Sequence, residues 1–463
     1  MAIADSDGNG GVFARIAAHL SWRSAVARLT DWRRDGSDRA VTQRTAGSAF
    51  LIRIASAAII YLTQVLLARW MGRFEFGIYV YVWAWVGFLG MLAAGGIAPA
   101  AQRFIPEYKT LGDNAGLRGF LLGSRWVSFA YGSVMAVLLF GAVLMFRNDI
   151  APYYWLPFLI GAAVIPVFPV SSIQDTISRC FNWIELGLIP NYVMHPLIIC
   201  AALATIHVLG GTVTAVHGLM VASAAMWVMT LIQTALLRRR LNGAVAPGDR
   251  KYAFRYWMVT SLPIAFVDGF FLLLTYVDIL ILQMFVGPAD IAVYYAATKT
   301  LAMLNFIYFA VSAASAHRFA QYYVAGETEK LEGILKDAVR WTFWPSLVFG
   351  LVLLALGEPI LALFGAGFTD GYPLMFVLII GLLARSSVGP AERLLSMQDQ
   401  QMASAMIYAC AFATNLVLCL ILIPHFGLIG AACSTASAIV CESTLLYVIT
   451  KRRLGLHIFI IGK

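Results

Sequence analysis

Charged side chains stand inside long apolar runs of the sequence, among them Arg53, Arg125, Asp268, Asp278, Lys299 and Arg385. In a bilayer such a group is costly unless it faces a water-filled cavity or a partner, so each is a candidate functional residue. Lys299 is the deepest cation, beyond easy snorkelling, and is read as either cavity-facing or half of a structural pair with Asp268 at similar depth. Asp278 lies nearer the periplasm and reads as a water-lined site or as an acid solvated at a helix end; Asp268 and Asp278 are the coupling or charge-pair candidates. Arg53 and Arg125 are closer to span ends, Arg385 slightly deeper. Arg103 and Arg318 close apolar runs and read as interfacial anchors or as groups at the mouth of a cavity. His195 reads as a hydrogen-bonded contact between helices, and Glu442 as interhelical or near the surface.

Cations of this kind suit an anionic ligand. A guanidinium stays protonated and can bind phosphate oxygens in pairs. Tyr61, Trp83, Trp85, Tyr276 and Tyr295 could stack on sugar faces, although aromatics at helical spacing also serve packing and membrane interfaces. No catalytic residue or metal site is expected. The only Asp-x-Asp, Asp5–Asp7, is in the amino-terminal tail, and no Walker, His-Glu-x-x-His or nucleophile-elbow motif occurs. The six cysteines include no Cys-x-x-Cys pair and read as small core residues. No cofactor is expected, and a coupling ion, H+ or Na+, is left open.

The elements that must position these residues follow from composition. Of 463 residues 60% are hydrophobic and 12% charged, with mean hydropathy +0.79, far from a soluble domain. Against a ruler of roughly 20 apolar residues per crossing, spans are expected near 46–68, 78–100, 119–146, 151–173, 186–208, 213–236, 256–286, 289–315, 341–357, 372–392, 400–423 and 428–450. The seventh is long enough to be tilted or in two parts around Asp268–Gly269. The fold class is therefore an all-α membrane protein of about twelve transmembrane helices. With the amino terminus inside, 26 Lys and Arg lie on the cytoplasmic side and three (Arg69, Arg73, Arg147) on the other, which places both termini in the cytoplasm. No cleavable signal peptide is visible. The Arg-rich tail 1–45 carries a basic amphipathic stretch over 12–34 that reads as an interfacial helix or as a tail acting only as a topology signal.

The chain also repeats. Shifted by 215 residues, Gly72–Tyr108 aligns without a gap on Gly287–Tyr323, pairing Gly72/Gly287, Tyr79/Tyr294, Leu89/Leu304, Ala98/Ala313, Ala101/Ala316, Arg103/Arg318, Phe104/Phe319 and Tyr108/Tyr323. Six helices per copy is an even number, so the copies are parallel. This gives two pseudo-symmetric six-helix lobes, with a transport site between them, at 46–237 and 256–450; a cytoplasmic linker 238–255 joins them and a tail 451–463 follows.

The stretch LLARWMGRFEFGIYVYVWAWVGFLGMLAAGGIAPAAQRFIPEYKTLGD resembles the first two helices of bacterial polysaccharide transporters, the Wzx-type flippases of the MOP superfamily. DILILQMFVGPADIAVYYAATK, LFGAGFTDGYPLMFVLIIG and NLVLCLILIPHFGLIGAACSTASAI fit the same pattern in order and spacing, so the resemblance runs from Ala46 to Thr450. It implies a fold like that of the MATE antiporters. It implies movement of an undecaprenyl-pyrophosphate-linked oligosaccharide from the cytoplasmic to the periplasmic leaflet of the bacterial inner membrane, for exopolysaccharide, capsule or O-antigen synthesis. A central cationic cavity would take the pyrophosphate and sugars. Partners would be the lipid-linked oligosaccharide, membrane lipid, and a polysaccharide polymerase with its chain-length machinery; nucleic acid is not expected. The related lipid II flippases usually have two further helices that this chain lacks. The alternatives are a MATE-like drug or small-cation antiporter, which would want acids in an apolar pocket, and a membrane-embedded sugar polymerase or ligase, which would want a large catalytic loop. The chain is read as a transporter, not an enzyme.

Overall fold

A computed structural model describes residues 38–325, 327–397, 401–455 and 458–460. The amphipathic stretch 12–34 lies outside them. Two units are distinguished, Met1–Arg53 and Ile54–Lys463. The described part of the first is the beginning of a helix, on which Arg53 is exposed.

The elements are α1 (Asp38–Ala93), α2 (Ile97–Thr110), α3 (Asn114–Met145), α4 (Pro152–Ala162), α5 (Val167–Cys180), α6 (Ile184–Ile189), α7 (His195–Val208), α8 (Ala215–Ala244), α9 (Phe254–Leu282), α10 (Pro288–Leu301), α11 (Asn305–Val324), α12 (Thr328–Ala355), α13 (Gly357–Ala362), α14 (Tyr372–Ser387), α15 (Ala391–Met397) and α16 (Gln401–Leu454). No strand occurs among the described residues. This is what hydrocarbon demands of a spanning chain, because a helix satisfies its own backbone polar groups.

Eight helices among the described residues are long and apolar enough to cross a membrane, or nine if α4 and α5, bent by 43°, form one span. The sequence suggests about twelve. The difference comes partly from Ile52–Thr110 and Met402–Arg453, of 59 and 52 residues. At 1.5 Å per residue each would extend about 80–90 Å if straight, against a hydrocarbon core of about 30 Å. Instead the chain leaves helical geometry at Gly72 (φ 75, ψ 171) and Gly427 (φ 54, ψ −128), conformations open to glycine and strained for other residues. The expected eighth span is also divided, into α10, a 3-10 turn over Ala302–Leu304, and α11. The expected seventh span, in contrast, is the unbroken α9, with no interruption at Asp268–Gly269.

The repeat has a structural counterpart. Tyr79 and Tyr294 are both buried, Phe104 and Phe319 are both fully buried in corresponding clusters, and Arg103 and Arg318 are both exposed. The breaks at 94–96 and at Ala302–Leu304 interrupt matching helices.

Burial differs between the two ends of the bundle. At the end marked by Gly72, one apolar cluster draws on both halves, from Leu67, Phe76 and Tyr79 to Val293, Phe368 and Ile423. At the end carrying the 245–253 connector there are two clusters. One is built on Phe104, Phe120 and Leu237 with Trp257 of α9; the other, built on Phe319, Leu335 and Leu394, belongs to the second half alone. Thus one core spans both halves at the first end, while at the other the first-half cluster takes in α9 of the second half and the Phe319 cluster stands apart from it.

Candidate functional site

The closed end is held by several kinds of contact. Gly77 meets Pro288 backbone to backbone: a Cβ there would lie 1.8 Å from the Pro288 carbonyl oxygen. Arg73 donates to Asp370 at 2.9 Å and lies 3.8 Å from Asp290. The Tyr154 hydroxyl donates to Gln283. Phe76 meets Tyr295 and Phe368 edge-on.

Just beyond this seal, towards the connector end, lies Lys299. Its neighbour Thr300 bonds the Tyr61 hydroxyl of the first half at 2.9 Å. The Lys299 ammonium stands 5.0 Å over the Tyr295 ring and near Tyr276, whose hydroxyl would contact a Cβ on Gly87 of the first half. Lys299 is exposed although its span is apolar. A cation and two tyrosines therefore sit where the two halves part, the arrangement a phosphate and a sugar would need.

Among the described residues no ion pair joins Lys299 to Asp268; the charged neighbour of Asp268 is Glu392. Asp278 is the acid near Lys299. It is buried, accepts from the Tyr294 hydroxyl and the Ile279 amide at 2.8 Å each, and belongs to the packed wall rather than to an open surface.

Arg385 lies elsewhere in the second half. Its guanidinium is 3.5 Å from both Glu392 and Glu442 and 5.4 Å from the Tyr308 ring centre. Glu442 is 0% exposed, and neither carboxylate oxygen makes a hydrogen bond of good geometry. This cluster brings together α14, α15 and α16, and its arginine is occupied by acids. Arg103 pairs loosely with Glu107 at 3.9 Å on α2, while Arg318 lines a surface cleft between α11 and α12. Arg125 lies on α3 among other arginines, in a cleft lined wholly by residues 118–250. Of the sequence candidates, Lys299 with Tyr61, Tyr276 and Tyr295 is the group placed between the halves.

A second polar centre, inside the first half, is not among those candidates. Asp175 on α5 is buried and receives two amide donors on one oxygen, from Asn191 at 2.9 Å and Gln233 at 2.8 Å. Asn191 also donates to Ser171. It projects from a π-helical turn, Pro190–Met194, between Pro190 and Pro196, which break the regular ladder of this span. The centre borders a cavity of about 340 Å³, also lined by Tyr79, Trp83 and His195. His195 bonds the Ala222 carbonyl at 3.1 Å and stacks on Trp83, so it joins helices as expected. The side-chain oxygens of Gln64, Gln174, Asn191 and Gln233 are buried without a hydrogen-bond partner. The signal for this centre was Asn191 and Gln233, two amides inside apolar runs.

Comparison with solved structures gives the same architecture. An inward-facing multidrug resistance MATE family transporter of the MOP superfamily superposes with a TM-score of 0.70 at 13% identity, covering 88% of this chain and 98% of the other. The lipid II flippase MurJ, inward closed, gives 0.68 at 15% identity over 87% of each. A MOP superfamily transporter from Pyrococcus furiosus, described as having a binding pocket of reverse polarity, gives 0.65 at 12% identity over 91% and 96%. At such identities the likeness establishes the fold. Comparison with curated proteins finds no match. The MatE family matches residues 263–421. The family described as polysaccharide biosynthesis protein matches residues 43–322, more than half of the sequence, and the chain belongs to that family.

Proposed function

We propose that this protein is a flippase that carries an undecaprenyl-pyrophosphate-linked oligosaccharide from the cytoplasmic to the periplasmic leaflet of the bacterial inner membrane by alternating access. The observation that carries the reading is Lys299: an exposed cation in an apolar span, beside Tyr276 and Tyr295, where the halves part. Fixed cations there would replace part of the water a pyrophosphate loses on leaving the aqueous phase. Membership in a polysaccharide biosynthesis family supports a sugar cargo.

Orientation follows from the 26-to-3 distribution of basic residues. The connector end is cytoplasmic, so the end with two clusters, joined to the first half through α9, faces the cytoplasm and the shared core seals the periplasmic side. This is the state that would receive cargo from the inner leaflet. The lobes are 46–237 and 256–450, and a polymerase with chain-length machinery would use the delivered product. A coupling cation, H+ or Na+, would bind at Asp175, a buried carboxylate held by two amides that borders a cavity.

Deletion in the native bacterium should remove one surface polysaccharide and accumulate its lipid-linked precursor. Complementation by Lys299→Ala should fail although the protein reaches the membrane at normal abundance; Lys299→Arg should restore part of the export. Normal export by well-expressed Lys299→Ala would remove the cavity reading. A cytoplasm-dependent fluorescent reporter should glow when fused after Lys463 or within 242–248 and stay dark within 209–212; a glowing 209–212 fusion would break the orientation.

A further inference from the structure

Four arginines of the first half and the linker form a site away from the seam between the lobes. Arg118, Arg125, Arg238 and Arg250 line a cleft of about 840 Å³ between α3, the end of α8 and the connector. Arg238 and Arg250 are the charged neighbours of Arg125, and all are of one sign. Among the described residues no carboxylate forms an ion pair with any of the four. Arg118 is turned to structure, donating to the Ala246 and Asp249 carbonyls at 2.7 and 2.8 Å. Arg125 hydrogen-bonds through Nε, to the Leu121 carbonyl of its own helix at 2.8 Å.

The cleft continues into the membrane. Leu122, Arg125 and Thr234 also belong to a neighbouring groove of about 340 Å³, whose walls include Phe129, Val170, Trp227 and Leu231. From Arg238 to Trp227 along α8 is eleven residues, or about 16 Å, close to half the hydrocarbon thickness. A basic head pocket thus opens onto an apolar channel one leaflet deep. The side chains facing the channel leave it almost without charge, while the pocket above lacks a counter-ion for at least three guanidiniums.

We propose that this cleft and groove bind an anionic phospholipid, with the phosphate among Arg125, Arg238 and Arg250 and an acyl chain along Trp227 and Leu231. Charge and shape select the occupant together. A free phosphate would neutralise the arginines but leave the groove unfilled, and a neutral lipid would fill the groove but leave the arginines unpaired. Every lining residue lies in 118–250, so this lipid is separate from cargo held between the lobes. It would bind the connector to α3 and α8, tying the junction between lobes to the composition of that leaflet. The inference stands on this geometry alone, whatever the transported substrate.

The test uses the full chain purified in detergent, with native mass spectrometry and thermal unfolding in titrations of phosphatidylglycerol, phosphatidylcholine and inorganic phosphate. Wild type should retain one phosphatidylglycerol and be stabilised by it, but not by the other two. At about fivefold in affinity per basic residue near an anionic headgroup, Arg125→Ala, Arg238→Ala and Arg250→Ala combined should weaken retention about a hundredfold. Arg250→Ala alone, in the connector, should weaken it about fivefold without risk to the helices. Leu231→Glu should lower retention with all arginines intact. Undiminished phosphatidylglycerol retention in the combined and single variants would overturn the proposal. So would equal stabilisation by inorganic phosphate, or displacement of phosphatidylglycerol by an isoprenyl phosphate at equal concentration, which would assign the cleft to cargo.

Discussion

The two halves repeat their helices but bury their acids differently. In the first half the Asp175 carboxylate is met by amides, from Asn191 and Gln233, while Arg179, one turn on, donates to its backbone carbonyl. In the second half Glu442 is met by Arg385, which also faces Glu392. An ion cluster fixes its charges, because removing either partner leaves the other buried and unpaired. A carboxylate among amides can gain a proton or accept a cation while its neighbours keep their places. The comparison makes the Arg385 cluster a rigid element of the second half and Asp175 a centre suited to respond to an ion; Asp278, buried in the second half on a hydroxyl and a backbone amide, is held without an arginine as Asp175 is.

The sharpest way to break this contrast is to remove Glu442. Glu442→Ala takes from Arg385 its fully buried partner but leaves Glu392, so the cost should approach only the lower end of the about 3–5 kcal/mol of a broken buried pair. Membrane abundance and the unfolding temperature in detergent should both fall steeply. Combining Arg385→Met with Glu442→Leu and Glu392→Gln should recover much of the loss, since no charge of the cluster is then left without its partner. If Glu442→Ala alone is as stable as wild type, the cluster is not structural and the contrast fails.

A smaller effect is expected at Asp175. Asp175→Ala strands two amide donors, at about 1–3 kcal/mol for buried groups left unsatisfied. Asp175→Asn keeps an acceptor oxygen for both donors, so stability should stay near wild type while export falls, if this centre couples transport to a cation. Complementation together with thermal unfolding separates the two outcomes. Full export by Asp175→Asn would leave the amide-lined centre a packing device, like its counterpart.

How far these centres could be read from the sequence depends on what each residue needs. Lys299 was legible because a lone cation deep in an apolar run has few reasons to be there, and the structure sets it between the halves. Its partner was not: Asp268 lies at similar depth, but depth along a helix does not give the direction a side chain faces, and Asp268 has Glu392 as its charged neighbour. Glu442 was legible as an interhelical acid, whereas its link to Arg385 depends on how α14 meets α16. Asp175 was hidden at the polar end of an apolar run, beside Gln174 and Thr176, where a charge resembles a helix end. The all-α class and the repeat were legible from hydropathy and spacing. The kinks at Gly72 and Gly427 were legible as short gaps between runs, but not the breaks within spans at 94–96, 190–194 and Ala302–Leu304, which follow from tertiary packing.

The smallest effect on stability, and the one that probes motion, is expected at Arg73. It crosses from the first half to Asp370 and Asp290 of the second, with side-chain exposures of 28%, 61% and 45%. Pairs this accessible are screened by water and salt and contribute about 0–1 kcal/mol. The shared apolar core beneath carries most of that closure, so Arg73→Ala should shift unfolding little. In an alternating cycle, however, the seal must open, and a bridge worth even half a kilocalorie changes the ratio of closed to open states about twofold. Hydrogen exchange of the full chain in nanodiscs should be faster over Phe368–Gly371 in Arg73→Ala, with the buried helices unchanged. Arg73→Asp should accelerate it further through repulsion from Asp370 and Asp290. Adding Asp370→Arg to that variant should slow it again, because charge complementarity is restored with its sense reversed. Exchange that is the same in all three variants would show that apolar packing alone holds the seal.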